Sequence, residues 1–153
     1  MVFEYDRVEK LDEIDYNNVK LWLLNYLIQD IAAKRNVCTY SEISNYIKLK
    51  MNLIVEPMSS ALSGLLADIS IYEHEQGDPL LSVVVVNKET RNPGDGFFKL
   101  AKDLGRYTGS LSSKEQKDEF FISELNAVHK IWEREYDPEW SEYLRLKKKF
   151  EGR

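Results

Sequence analysis

Apolar residues recur near the start of the chain at the three- and four-residue spacing of a helix. Val19, Leu23, Tyr26, Leu27 and Ile31 form the stripe, and Trp22, Leu24 and Ile28 widen it. The pattern predicts a helix from Asn17 to about Lys34, capped by Asn17 or Asn18 and closed by basic residues. Residues 1–15 read as a loose lead-in, with a short strand at "MVFEY". In "NVCTYSEISNYIKLK", Thr39 or Ser41 caps a short helix that holds Ile43, Tyr46 and Ile47. "MNLIVEPM" is a connection, and Pro57 suits the first turn of a third helix because its missing N–H is not needed there. That helix keeps Leu62, Leu65, Leu66, Ile69 and Tyr72 on one side and stops at Gly77.

Four consecutive valines lie in the apolar run "LLSVVVV", which predicts a buried strand from Leu81 to Val86. A turn-rich loop, "NKETRNPGDGFF", follows, then a short helix from about Phe97 to Leu104 ended by Gly105. Ser112 or Ser113 caps a further helix with Phe120, Phe121, Leu125, Val128 and Trp132 apolar. Pro138 breaks it, and "WSEYLRLKKKFEGR" closes the chain as a short charged helix. The chain divides into an acidic lead-in at 1–16, a domain at 17–106 and a helical extension at 112–153. The fold class is mainly α with a small β element. Helix, short helix, helix, strand and loop is the order of a winged helix-turn-helix, in which the third helix can lie in a DNA major groove.

Composition narrows the function classes. The 153 residues are 43% hydrophobic and 31% charged, which suits one domain with an extension and a solvated surface. The apolar runs are too short to span a membrane, and the acidic start is unlike a signal peptide. One cysteine, Cys38, agrees with a reducing compartment, so a cytoplasmic location is expected. The net charge of −5 weighs against simple nucleic-acid binding. Its distribution changes that picture. Residues 1–16 hold six acids and two bases, 34–50 four bases and one acid, and 88–106 five bases and three acids.

"VCTYSEISNYI", the small-residue helix "SSALSGLL" and the strand "LLSVVVVN" leading to a Gly-containing turn resemble the winged-helix DNA-binding domain of the alkylguanine alkyltransferases and alkyltransferase-like proteins. The resemblance covers roughly residues 19–98. It implies the scaffold and DNA contact. It does not imply the chemistry, because "PLLSVVVV" has neither the cysteine nor the histidine of that family's "P-C-H-R-V-V" strand. "VVNKETRNPGDGFF" is also similar to a pattern in uncharacterised bacterial and phage proteins.

On this reading Ser59, Ser60 and Ser63 on the exposed start of the third helix, and Lys88, Arg91 and Asn92 in the loop, contact nucleic acid. Lys48 and Lys50 assist at the backbone. The third helix carries no Lys or Arg, and its end holds Asp68, Glu73 and Glu75, which weakens groove reading and favours a second class: a protein-binding adaptor or inhibitor of phage or defence-system type. No catalytic constellation stands out, so no enzyme activity, cofactor or metal is expected. "EHE" at 73–75 reads as a solvated helix end, because adjacent helical side chains diverge by about 100°. Cys38 reads as a small core residue, and Phe97 and Phe98 as anchors of the loop rather than stacking platforms for bases. Gly94 and Gly96 form a G-x-G that completes no nucleotide fingerprint. The aromatic sites of the C-terminal helices, Trp140 among them, pack back on the domain or form a homodimer contact.

Overall fold

The computed structural model describes residues 11–135 together with 146, 147 and 149. The expected strand at "MVFEY", the break at Pro138, Trp140 and most of the closing helix lie outside the described residues. What is described is mainly helical with a two-strand sheet.

Helix α1 spans Glu13–Tyr26, four residues earlier than expected. Asp12 is its cap, accepting a hydrogen bond from the Asp15 N–H at 2.8 Å, and Glu13 and Asp15 place negative charge at the positive end of the helix. Asn17 and Asn18 are therefore interior positions. The helix continues as a π-helical segment, Leu27–Ala32, in which the Ala33 N–H reaches back to the Ile28 carbonyl. The wide turns leave Leu27, Ile28, Ile31 and Ala32 all buried. Arg35 ends the segment with φ 57°.

Strand β1 is Cys38–Thr39, and helix α2 follows as Tyr40–Met51. Thr39, one of the two expected caps, forms a reciprocal box with Glu42. The Glu42 N–H donates to Thr39 Oγ1, and the Thr39 N–H to Glu42 Oε1, both at 3.1 Å. Ile43 and Ile47 are wholly buried one turn apart. Asn52, with φ 55°, closes the helix in the left-handed conformation that Asn tolerates better than most residues.

Helix α3 spans Ser60–Glu75. Pro57 does not occupy its first turn as expected. It lies two residues before the cap, Ser59, whose hydroxyl supplies the start signal instead. Leu62, Leu65, Leu66 and Ile69 are buried. Gly77, at φ 83°, turns the chain so that the Asp78 N–H reaches the Glu73 carbonyl.

The valine run is not one strand. Leu81–Val84 form a 3₁₀ turn, and only Val85–Val86 form strand β2. A run buried on every side has no in–out alternation, so its apolarity does not distinguish the two conformations. Ser82 is tied to α3 within this turn: its N–H donates to Ser70 Oγ at 3.0 Å, and the Ser70 hydroxyl donates to Ser82 Oγ at 2.6 Å. Strand β2 pairs with β1 in parallel, Cys38 opposite Val85 and Thr39 opposite Val86. The chain then leads through the loop directly into helix α4, Asp95–Asp103.

Helix α5 spans Lys114–Glu135. Ser113 accepts from the Gln116 N–H at 3.2 Å, which settles the choice between the two expected caps. Val128 and Trp132 enter the same core as α1, α3 and the valine run, with Phe120, Phe121, Leu125 and Ile131 packed against it. The described part of the C-terminal extension thus uses its apolar face on the domain. Among the described residues no helix is long and apolar enough to cross a membrane.

Candidate nucleic-acid interface

The loop after β2 is held at both ends. The Asn87 N–H donates to the Asn92 carbonyl and the Arg91 N–H to the Asn87 carbonyl, each at 2.9 Å. Thr90 Oγ1 accepts from the Asn92 N–H at 3.2 Å. Further on, the Gly94 N–H donates to Tyr40 Oη at 3.0 Å, tying the loop to the first residue of α2. Burial raises the Tyr40 pKa, against the lowering effect of that Gly94 bond. Pro93 is buried, and Phe97 and Phe98 are buried below it, against Phe120 and Tyr107. The two phenylalanines are anchors, as the sequence suggested. Lys88, Glu89, Thr90 and Arg91 remain exposed on this rigid base.

Two clefts flank the loop. The first, of about 430 Å³, lies between α3 and α4; Tyr40, Met58, Ser63, Leu66, Asn87 and Phe97 contribute to its wall. The second, of about 350 Å³, is bounded by Met58, Thr90, Asn92, Phe98, Lys114 and Lys117. Met58 borders both and is 79% exposed. The start of α3, the loop and the start of α5 therefore share one face.

The expected contact residues divide on this geometry. Ser63 and Asn92 border the clefts, and Ser60 is exposed at the start of α3. Ser59 was expected to be exposed but is 3% accessible. Its hydroxyl donates to the Glu56 carbonyl at 2.7 Å and accepts from the Leu62 N–H at 3.2 Å, the work of a helix cap. Lys88 and Arg91 are exposed in the loop and border neither cleft, although their neighbours Asn87, Thr90 and Asn92 border the second. Lys48 and Lys50 are exposed in the last turn of α2 and border neither cleft. Sequence reasoning missed Lys114 and Lys117. Their spacing behind the Ser113 cap marks one face of a helix, but their approach to a loop more than twenty residues earlier is a tertiary fact.

Charge pairing is uneven across this face. Lys114 Nζ lies 2.7 Å from Asp118, and Lys117 Nζ lies 4.0 Å from Asp95 and 5.5 Å from the Phe98 ring centre. Lys88 and Arg91 form no ion pair among the described residues. The acidic character expected of α3 is also smaller than its composition. Asp68 accepts a hydrogen bond from the Tyr16 hydroxyl. Burial and the neighbouring Asp68 raise the Tyr16 pKa. Glu73 is wholly buried and His74 half-buried, which corrects the reading of "EHE" as a solvated end; only Glu75 of the three is exposed. The chain turns at Gly77 just beyond, where the Asp78 N–H donates to the Glu73 carbonyl at 2.9 Å. Among the described residues no group of three or more His, Cys, Asp or Glu can hold a metal ion. Cys38 is 1% accessible, and burial pushes its thiol up to about 12, so it is a core residue with little thiolate.

Comparison of the chain with protein-family models, curated proteins and solved structures returned no match.

Proposed function

We propose that this chain is a small non-enzymatic protein that binds nucleic acid, specifically double-stranded DNA, in a regulatory role. The observation that carries the reading is the loop: a hydrogen-bonded turn holding Lys88 and Arg91, neither of them in an ion pair among the described residues, near the exposed start of α3. Such cations meet backbone phosphates, and Ser60, Ser63 and Asn92 add polar contacts that fix register. Lys48 and Lys50 extend the contact along the backbone. The winged-helix scaffold and its likeness to the alkyltransferase-type domain belong to the same proposal. They draw support from the helix order and from the Thr39–Glu42 box in front of α2. The test is titration of a labelled random-sequence duplex at low and at physiological salt. Affinity should fall steeply with salt, each neutralised phosphate adding about 0.9 to the slope. Lys88→Glu with Arg91→Glu should abolish binding while leaving the thermal midpoint within a few degrees. Unchanged binding in that double variant would remove the loop from the interface.

One observation favours a protein partner instead. Leu49 is 76% exposed, Ile54 54% and Met58 79%, large apolar side chains that a protein surface would cover. On that second reading the chain is an adaptor or inhibitor, and the duplex shows no binding even at low salt. Self-association belongs to the same class, and sedimentation of the full chain measures it.

A further inference from the structure

Among the described residues, three non-glycine residues hold a left-handed backbone: Arg35 (φ 57°), Asn52 (φ 55°) and Arg91 (φ 60°). L-residues with a Cβ rarely adopt it. Two of the three have an evident reason. Asn52 closes α2 and is of a type that tolerates the conformation. Arg35 ends the π-helical segment, and its guanidinium pairs with Glu133 on α5. Arg91 has the same backbone, held by its N–H to the Asn87 carbonyl at 2.9 Å, but its side chain is exposed and makes no ion pair or hydrogen bond among the described residues. The tolerant residue type is next door at Asn92, yet the left-handed position is the arginine's. Across the second cleft, bordered by Thr90 and Asn92 on either side of Arg91, Lys114 and Lys117 already face Asp118 and Asp95. Arg91, like Lys88 in the same loop, is in no ion pair among the described residues, and of the two only Arg91 has the left-handed backbone.

We propose that Arg91 is the anchor for one backbone phosphate of the bound duplex, its left-handed position retained for the direction it gives the side chain as it leaves the backbone; the inference rests on the nucleic-acid reading above. A guanidinium presents two parallel N–H groups that match a phosphate, and a rigid base reduces the freedom lost on binding. Lys88, also in the loop, contributes charge from an ordinary backbone position.

The test titrates wild type, Arg91→Gly and Arg91→Lys with the same random-sequence duplex at two salt concentrations, alongside thermal unfolding of each protein. Arg91→Gly should bind about tenfold more weakly at physiological salt and lose about one from the salt slope. Its thermal midpoint should hold or rise, because glycine adopts the left-handed backbone without a Cβ clash. Arg91→Lys should be intermediate in affinity. Wild-type affinity in Arg91→Gly overturns the inference and leaves the nucleic-acid reading standing. Equal loss in both variants together with a lowered midpoint assigns Arg91 a purely structural role and overturns it too. No binding by the wild type at low salt sinks the nucleic-acid reading and the inference with it.

Discussion

Along the α5 seam, charged and polar side chains meet partners. Glu124, 6% accessible, accepts from the buried Leu80 N–H and from Arg106 Nε, both at 2.8 Å. His129 Nε2 lies 2.9 Å from the Asn36 carbonyl, and Arg35 pairs with Glu133. In the loop from Asn87 to Gly94, hydrogen bonds are used to shape the backbone, and the cations Lys88 and Arg91 are left facing solvent. Both regions stand on apolar floors, Val128 and Trp132 for the seam and Pro93, Phe97 and Phe98 for the loop. The contrast teaches where to look for stability and where to look for binding. A charge satisfied within the chain holds the fold together, whereas an exposed charge on a rigid base is available to something else.

That division is breakable by mutation. The largest effect is expected at the seam's floor. Trp132→Ala should cost about 3–5 kcal/mol in urea unfolding, because a ring 5% accessible leaves a cavity. A loss under about 1 kcal/mol would mean that α5 lies outside the cooperative unit. Glu124→Ala comes next, at about 2–4 kcal/mol, since it strips the acceptor from a buried N–H and the counter-charge from Arg106. Glu124→Gln keeps an acceptor for Leu80 and should lose less. Neither variant should alter the salt slope of duplex binding, and a changed slope would blur the line between seam and loop.

The most gradual effect is a slope in pH. Cys38 has its thiol raised from an ordinary 9.0 to about 12 by burial, with the nearby Glu42 adding to the rise. The folded state therefore keeps a proton that the unfolded state releases. The stability involved is fully present below pH 9 and is lost as pH climbs from 9 towards 12, at about 1.4 kcal/mol per unit at most. Raised Tyr26 and Tyr40 hydroxyls act with the same sign. Urea midpoints measured from pH 8 to 11 should fall, and Cys38→Ala should flatten the fall. An unchanged slope in that variant would show that the thiol titrates freely in the folded chain.

Much of the helical framework was legible in the sequence. The Thr39 cap, the Gly77 and Gly105 stops and the stripe Leu62–Leu65–Leu66–Ile69 announce themselves through short-range rules, since caps and periodic faces depend on residues within one or two turns. Asp12 was overlooked because it sat in an acidic stretch that read as lead-in, although its Asp15 partner obeys the same capping rule. The proposed binding face was legible only in part. Lys88, Arg91 and Asn92 stood out in a turn-rich loop, but nothing local marked Ser59 as buried, and Lys114 and Lys117 lay on a segment whose docking was open.

The sequence by itself determined the helix order, the position of the turn-rich loop and the core roles of Cys38, Phe97 and Phe98, because these follow from local capping, periodicity and side-chain polarity. The tertiary structure decided the rest. It made most of the valine run a 3₁₀ turn beside Ser70, set β1 and β2 parallel, buried Glu73, and carried α5 across to the loop. Each of these depends on which distant groups come within hydrogen-bonding or packing reach. Pairing between residues tens of positions apart is settled by the fit of the whole core, and no short window of sequence contains it.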